Sequence, residues 1–421
     1  MSFDTALNWA RAQDAADPLA EYRAEFSFPP GPDGRPALYL CGNSLGLQPR
    51  QAAAEVERVL ADWRRLAVLG HHGGGAEWLS YHDRLRPALA ALTGAQPAEV
   101  VAMNSLTVNL HLLMATFYRP SASRPVVLME RGAFPSDRYA VVSQLRWHGF
   151  DERHALIELA PRPGEACLRT ADIVREIERA GPRLALVLLP GVQYQTGQAL
   201  DLAACAAAAR EAGAPLGLDL AHAIGNIRLA LHDWGVDFAV WCSYKYLNAG
   251  PGATGGAFVH ARHAGAGLPR LAGWWGNDAA TRFEFRPEFL PAAGAAGWQV
   301  STGPVLGTAP LKASLSQFEA AGPGALLEKS RRLTGYLEFL LAAHLDDRFE
   351  ILTPREPDAR GAQLSLRARN GPAAGRSAWD ALMARGVVCD WRVPDIIRLA
   401  PAPLYNSFED CWRCVDVLRQ A

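Results

Sequence analysis

The chain has 421 residues, 49% of them apolar, and its 42 basic and 43 acidic residues give a formal net charge of −1. That length and apolar fraction suit a large α/β domain with a smaller appendage, and the near-zero charge argues against binding to nucleic acid or an anionic membrane. No apolar run approaches the ~20 residues of a membrane span, the start lacks a signal-peptide pattern, and the seven cysteines lack disulfide spacing, so we expect a cytoplasmic protein.

Helical and strand-like segments alternate from about residue 90 to residue 260. Apolar periodicity predicts helices over residues 51–69, 77–93, 106–118 and 201–213. Short apolar runs between turn residues predict buried strands over residues 126–129, 184–189, 216–220, 238–242 and 256–260. This alternation is typical of a mainly parallel sheet with helices on both faces, in which ligands lie at the carboxyl ends of the strands.

The pattern changes after about residue 305, where a long predicted helix, residues 326–344, precedes shorter strand-like pieces at 349–352, 363–368, 387–389 and 396–399. We therefore predict a large domain over residues 51–304 and a smaller α+β domain over residues 305–421, which residues 1–50 join. Cys411 and Cys414 lie in a final amphipathic helix after Ser407. A lone CxxC without a second ligand pair indicates two packed thiols, so we predict no metal site.

Lys245 is one of only three lysines in the chain and follows the predicted strand 238–242 by three residues. A lysine at the apolar end of a strand can lose its proton and attack an aldehyde, most commonly that of pyridoxal phosphate; the alternative is an ordinary solvated side chain. Such a cofactor needs a carboxylate for its ring nitrogen, and Asp219 stands at the end of an apolar run in "GLDLAHA". His222 follows one turn later, although a lone histidine is more often structural.

Two further segments suit a phosphate and an aromatic ring. In "MNSLTVNL", Asn104 or Ser105 caps a helix whose first amides, those of Leu106 and Thr107, are free to bind an anion. In "FPSD", Phe134 is a candidate to stack on the ring, Pro135 and Ser136 are predicted to hold it in a loop, and Asp137 is a further candidate to approach the cofactor. Each segment alone reads as a helix cap or a turn, but together with Lys245 and Asp219 they follow successive strands of one sheet.

The motifs that carry this pattern resemble those of the kynureninase family. The similar segments include "LYLCGNSLGLQP", "NSLTVNLHLLM", "FPSD", "DLAHAIGN", "WCSYKYLNAG", "GWWGND" and "DWRVPDIIRLAPAPLYNSFED", and they extend from about residue 38 to residue 412. The resemblance implies a fold-type I pyridoxal-phosphate enzyme with a mainly parallel seven-stranded sheet. It also implies hydrolysis of L-kynurenine or 3-hydroxy-L-kynurenine to the corresponding anthranilate and L-alanine, within tryptophan catabolism.

The resemblance also implies roles for individual residues. Lys245 matches the lysine that binds the cofactor, Asp219 the partner of its ring nitrogen, and Tyr244 a tyrosine implicated in proton transfer. The residues that match cofactor contacts are Leu106, Thr107, Phe134, Pro135, Ser136, Asp137, Asp219, His222, Tyr244, Lys245, Trp274 and Thr302. The residues that match substrate contacts are Arg398, for the α-carboxylate, and His71 and Ser44, near the aniline ring.

In this family the residue at Thr302 reaches the neighbouring subunit, so the resemblance implies a homodimer with shared active sites. Pro190 departs from the pattern because it stands where many relatives have a hydroxyl residue; Thr196 could supply the missing contact. Another fold-type I enzyme, such as an aminotransferase or a cysteine desulfurase, is the alternative. A cofactor-binding regulator is disfavoured because no basic helix-turn-helix segment is evident.

Overall fold

The computed structural model of the chain describes residues 3–75 and 77–420. Its strands are β1 Phe26–Ser27, β2 Leu38–Tyr39, β3 Gln48–Pro49, β4 Val100–Ala102, β5 Val126–Glu130, β6 Leu156–Leu159, β7 Leu184–Pro190, β8 Leu216–Asp219, β9 Phe238–Trp241, β10 Gly256–Val259, β11 Phe349–Ile351, β12 Leu364–Ala368, β13 Val387–Val388, β14 Asp390–Arg392 and β15 Ile396–Leu399. Its α-helices are α1 Leu7–Ala15, α2 Gln51–Leu66, α3 Arg86–Thr93, α4 Leu106–Phe117, α5 Pro135–Trp147, α6 Glu152–Ala155, α7 Thr170–Ala180, α8 Leu202–Glu211, α9 Leu231–Trp234, α10 Val305–Ala321, α11 Pro323–Leu345, α12 Pro372–Ala384 and α13 Phe408–Gln420.

Within the described residues, seven strands form the central sheet in the order β4-β10-β9-β8-β7-β5-β6. Neighbouring strands run parallel except at β10, which is antiparallel to both β4 and β9. Both faces of this sheet are buried. In β5, Val126 and Leu128 pack in the hydrophobic cluster on one face, and Val127 and Met129 pack in a second cluster on the other face. The predicted fold class, a mainly parallel α/β sheet with a smaller second domain, is confirmed.

The sheet register brings polar residues to one edge. Glu130, Pro190 and Asp219 are the last residues of β5, β7 and β8, and Pro190 lies directly opposite Asp219 in the ladder. Because these three strands are parallel neighbours, their carboxyl ends open on the same side of the sheet. The loops that follow these strands and β9 therefore meet at a single location.

A four-stranded sheet in the C-terminal part of the chain has the order β11-β12-β15-β14 and is antiparallel throughout. The N-terminal segment joins this part of the chain: β2 pairs with β13, and Asp14 accepts hydrogen bonds from the amides of Phe408 and Glu409 at 2.7 and 2.9 Å. Lys329 of α11 and Asp17 form a buried ion pair at 2.6 Å. The domain limits at residues 50 and 304 stay predictions. Helix α10, which follows the predicted limit at residue 304, packs Leu311 and Phe318 into the core of the large sheet.

Two local predictions were wrong. The predicted helix 77–93 is interrupted: residues 77–85 contain two 3-10 turns, and α3 begins only at Arg86. Pro87 explains the late start, because a residue without an N–H suits the first turn of a helix and disfavours its interior. Phe134 occupies the N-cap position of α5, and Pro135 opens the helix, so Pro135, Ser136 and Asp137 lie in a first helical turn instead of a loop.

The other predicted helices and strands are present with ends shifted by a few residues. None of the helices in residues 3–75 and 77–420 has the length and hydropathy required to span a membrane.

Candidate active site

A cavity at the carboxyl ends of β5, β7 and β8 brings most of the predicted site residues together. The predicted residues that line it are Leu106, Thr107, Phe134, Ser136, Asp137, Asp219, His222, Tyr244 and Lys245. They come from the start of α4, the start of α5 and the loops after β8 and β9. The cavity therefore unites segments that the sequence could show only one at a time.

Lys245 lies half-buried in the loop after β9, with Nζ 5.7 Å from the ring centroid of Phe134 and 5.9 Å from that of Tyr244. Its loop is held by the "GNSLG" segment, since the amide of Gly46 donates to the carbonyl of Tyr244 at 2.8 Å. A Cβ at Gly46 would collide with Asn248 Oδ1 and with the carbonyl of Lys245. The N-terminal segment therefore packs tightly against the loop that carries the candidate nucleophile.

Two carboxyl groups are buried together opposite this lysine. Asp219 is 8% exposed and accepts a hydrogen bond from the amide of Ala221 at 2.7 Å. Asp137 is 5% exposed, and burial, followed by the charge and hydrogen bond of Asp219, raises the pKa of the Asp137 carboxyl well above its usual range. Asp137 Oδ1 has no hydrogen-bond partner among the described residues. Such a pair requires a cation or a hydrogen-bond donor, which a protonated pyridine ring would provide.

His222 lies beside these groups and is 6% exposed. Burial, with the positive charge of Lys245 next in size, lowers its pKa well below the usual range, so the imidazole is neutral. Its Nδ1 atom is buried and has no partner in the part of the chain that the structure describes. The histidine is therefore available to contact a ligand in the cavity.

The start of α4 forms an anion-binding surface at one end of the cavity. Ser105 occupies the N-cap position, but its side chain makes no capping hydrogen bond to any described residue, which leaves the first amides of the helix available. The hydroxyls of Thr107 and Ser136 lie 3.0 Å apart beside them. A Cβ at Gly255 would lie 2.7 Å from the Trp241 carbonyl oxygen and 3.3 Å from the Leu106 amide nitrogen, so only glycine fits between this strand end and the start of α4 without a backbone shift.

These features fit pyridoxal 5′-phosphate. The helix start and two hydroxyls suit its phosphate, Phe134 can cover one face of its ring, and the buried Asp219 suits its ring nitrogen. Lys245 Nζ makes no hydrogen bond or ion pair with the described residues, which suits a group that binds an aldehyde covalently.

Tyr244 holds its proton firmly in this structure. Burial, together with the neighbouring Cys242 thiol, raises the pKa of its hydroxyl above the usual range. The Tyr244 hydroxyl is therefore neutral.

Arg398 is completely buried on β15 and lies next to the cavity, although it does not belong to the described lining. Its Nη1 donates to the carbonyl of Tyr194 at 2.6 Å, and its Nη2 contacts Asp390. Asp390 also accepts a hydrogen bond from Arg392 at 3.0 Å. Arg398 Nε is buried without a described hydrogen-bond partner, so this guanidinium retains an unused donor.

The structure places the remaining predicted residues outside this cavity. His71 and Thr302 line a separate apolar pocket with Trp78 and Leu306. Trp274 is 46% exposed and donates its ring N–H to the carbonyl of Arg282 at 3.0 Å. Ser44 belongs to the segment beside Lys245, and Pro135 is exposed at the start of α5. Their predicted functions are therefore not explained by the cavity of one subunit.

Sequence reasoning missed Glu130, Val192, Tyr194 and Ala221, which also line the cavity. Glu130 directly follows the predicted strand 126–129, and that position was the available signal. Pro190 does line the cavity, whereas Thr196, its suggested substitute, donates its hydroxyl to Gln193 and is absent from the described lining. The contact that a hydroxyl at position 190 would make is therefore not supplied by Thr196.

A second group of ligand-type side chains lies elsewhere. Ligand atoms of Glu99, His232 and His260 are within 4.8 Å of one another. The Glu99 carboxylate already accepts from the His232 ring at 2.9 Å and from the amides of Gln96 and Ala261. This group is a satisfied hydrogen-bond network, not an open metal site.

Comparison with known proteins gives full-length relatives. The profile of the aminotransferase class-V family matches residues 39–361, and that of the kynureninase C-terminal domain matches residues 326–418. A kynureninase of Myxococcus xanthus is 56% identical over 99% of this chain and 97% of its own length. A kynureninase of Xanthomonas oryzae pv. oryzae is 58% identical, covering 95% of each chain.

Solved structures share the fold at low sequence identity. The cystine C–S lyase C-DES, bound to its product cysteine persulfide, has a TM-score of 0.75 and 18% identity, covering 91% of this chain and 97% of the lyase. The cysteine desulfurase CsdA of Escherichia coli has a TM-score of 0.74 and 19% identity, covering 96% of this chain and 98% of that enzyme.

Proposed function

Because the chain belongs to the kynureninase family, we propose that it hydrolyses the Cβ–Cγ bond of L-kynurenine or 3-hydroxy-L-kynurenine. The products are anthranilate or 3-hydroxyanthranilate and L-alanine, in tryptophan catabolism, and the cofactor is pyridoxal 5′-phosphate. The observation that carries the proposal is the cavity in which Lys245, Asp219 and Phe134 meet the free start of α4.

The bound cofactor would withdraw electrons from the substrate's α-carbon, and the residues of this chain would direct the proton transfers. Lys245 Nζ, half-buried and without a described hydrogen-bond partner, is suited to hold the cofactor and then to remove the Cα proton. Asp219 would keep the ring nitrogen protonated, and the α4 amides with Thr107 and Ser136 would bind the phosphate.

Hydrolysis adds the hydroxyl of water to the γ-carbonyl carbon and a proton to Cβ. Tyr244 is the candidate for the second task, because it lines the cavity and its hydroxyl is protonated; the charges of the bound cofactor would have to lower its raised pKa for the proton to be released. Arg398 would hold the substrate α-carboxylate through its unpartnered Nε. Its fixed contacts with Tyr194 and Asp390 would then orient the substrate toward Lys245.

The aryl group of the substrate would lie near Ser44 and near the apolar pocket that contains His71 and Thr302. We propose that this pocket completes the site of a neighbouring subunit in a homodimer, with Trp274 also serving the cofactor across the interface. Exposed apolar residues that line the pocket support this arrangement: Trp63 is 59% exposed and Leu306 42%. We place the enzyme in the cytoplasm, which agrees with its seven free cysteines.

A cysteine desulfurase or an aminotransferase has less support. The described lining of the cavity includes no cysteine, and five of the seven cysteines are buried. The desulfurase structures share the fold, but at 15–19% identity they carry no argument for the reaction.

The direct test is incubation of the purified holoenzyme with L-kynurenine. We expect anthranilate fluorescence and one equivalent of L-alanine, without conversion of the cofactor to its amine form. Lys245→Arg is the control, because an arginine keeps the charge but cannot bind the aldehyde; it should lose both the cofactor absorbance band and turnover. Near-normal hydrolysis by this variant, or stoichiometric amine cofactor in the wild type, would refute the assignment.

A further inference from the structure

A short loop after β7, residues 192–198, is organised by the side chain of Gln193, which is 8% exposed. Its Oε1 accepts hydrogen bonds from the amides of Gln195 and Thr196 at 2.7 and 2.9 Å. Its Nε2 donates to the carbonyl of Gly132 at 3.2 Å and to Glu130 Oε1 at 3.4 Å. One buried amide therefore folds the loop on itself and ties it to the end of β5.

Tyr194, in this loop, contacts two residues of the candidate active site, Arg398 and Phe134. Its carbonyl accepts a hydrogen bond from Arg398 Nη1 at 2.6 Å and another from Gln363 Nε2 at 3.0 Å. Its ring meets that of Phe134 edge-on, with centroids 5.3 Å apart. Tyr194 is thus the physical link between the residue that would cover the cofactor ring and the guanidinium that would bind the substrate.

We propose that Gln193 is a positioning residue for substrate binding: it holds Tyr194 where the Tyr194 carbonyl orients Arg398 toward the substrate carboxylate. The inference rests on the proposed function in one respect, the assignment of the α-carboxylate to Arg398. Gln193 itself touches neither substrate nor cofactor in this arrangement, because it does not belong to the described lining of the cavity.

Position 193 requires an amide side chain, because its oxygen must accept hydrogen bonds from the two loop amides and its nitrogen must donate to Gly132 and Glu130. A glutamate at 193 could still accept from the two loop amides, but its second oxygen would be repelled by the Gly132 carbonyl, to which it cannot donate, and would face the Glu130 carboxyl, whose single proton cannot serve both carboxyl groups. Glu130 is 3% exposed, so this repulsion would occur away from water. The loop, and with it the Tyr194 carbonyl, would have to move.

The test compares two ligands that differ in the α-carboxylate: L-alanine, and ethylamine, which is alanine without that group. Their dissociation constants are measured on the holoenzyme from the cofactor absorbance. In Gln193→Glu we expect the constant for L-alanine, and the KM for L-kynurenine, to rise by roughly tenfold to 100-fold, as for a misplaced charge-assisted hydrogen bond. The constant for ethylamine should change by less than about twofold, because ethylamine does not use Arg398.

Two further variants distinguish a specific effect at position 193 from a general effect of adding a negative charge to the loop. Gln195→Glu places the same charge in the same loop, and its half-exposed side chain makes no hydrogen bond with the described residues, so L-alanine should bind as in the wild type. The double variant Glu130→Gln with Gln193→Glu restores a donor opposite an acceptor and should recover part of the lost L-alanine affinity. If Gln193→Glu does not fold, Gln193→Asn, which keeps the amide but shortens its reach, replaces it in the same comparison.

The inference is overturned if Gln193→Glu binds L-alanine normally, if it weakens both ligands equally, or if Gln195→Glu has the same effect. Failure of the proposed function gives a different result. In that case the wild type would not release anthranilate from L-kynurenine, while the contrast between L-alanine and ethylamine in the Gln193 variants would remain.

Discussion

Replacing Lys329 with methionine tests whether a buried ion pair anchors the N-terminal segment to α11. Lys329 Nζ lies 2.6 Å from Asp17 Oδ2, and the two side chains are 7% and 6% exposed. Burial lowers the pKa of Lys329, and the hydrogen bond and charge of Asp17 partly oppose that effect. Methionine keeps the apolar stem but leaves the Asp17 carboxylate buried without its cation, which costs about 3–5 kcal/mol.

For a chain of 421 residues, an unfolding entropy of about 2.1 cal/mol/K per residue converts this loss into a Tm lower by roughly 3–6 °C. Calorimetry measures the shift, and hydrogen exchange over residues 3–50 reports whether the N-terminal segment opens first. The double variant Asp17→Asn with Lys329→Met removes both charges and should regain most of the stability. A single variant within about 0.5 kcal/mol of the wild type, or a double variant as unstable as the single one, would refute the reasoning.

Three more predictions concern the active site. Burial raises the pKa of Glu130 to about 8, so between about pH 4.5 and pH 8 the folded cofactor-free protein keeps a proton that the unfolded chain releases, and its stability falls as pH rises. Glu130→Gln should lessen that fall by about 1.4 kcal/mol per pH unit in denaturant titrations; an unchanged slope contradicts the assignment. Gly255→Ala, whose Cβ would lie 2.7 Å from the Trp241 carbonyl oxygen and 3.3 Å from the Leu106 amide nitrogen, would force a backbone shift at the start of α4 and should weaken cofactor binding at least about tenfold in absorbance titrations, whereas Gly324→Ala, in open space, should not. Arg398→Lys should raise the KM for L-kynurenine by roughly tenfold or more with a smaller change in kcat, because lysine cannot reproduce the guanidinium geometry; equal KM values would exclude Arg398 from carboxylate binding.

The parts of the fold that sequence analysis predicted well are those with strong local patterns. The central strands β5, β7, β8, β9 and β10 are mainly apolar runs bounded by turn residues, and α4, α8 and α11 have clear helical periodicity. The three-residue strand β4 was missed, and so was β6, whose four residues are only half-buried and include a glutamate. The wrong helix at residues 77–93 followed from reading periodicity across Pro87, which instead marks where α3 begins.

The residues of the candidate site also differ in how strong a local pattern each one had in the sequence. Lys245, Asp219 and the start of α4 were visible because each follows an apolar strand or opens a helix. Gln193 and Tyr194 gave no such signal, because their significance depends on what they contact. The predicted contributions of His71, Trp274 and Thr302 lie outside one subunit's cavity and stay predictions.

The sequence by itself determined which chemistry the chain can offer: an amine after a buried strand, a carboxylate at the end of another, and an anion-binding helix start. These features are encoded within about ten residues of each group, through side-chain periodicity and helix capping. Only the tertiary structure decided which of these groups meet, because adjacency in the sheet follows the strand order and not the chain order. The contact of Arg398 with Tyr194 spans 204 residues, and no local pattern specifies a partner at that distance, since long-range contacts form only when the whole core packs.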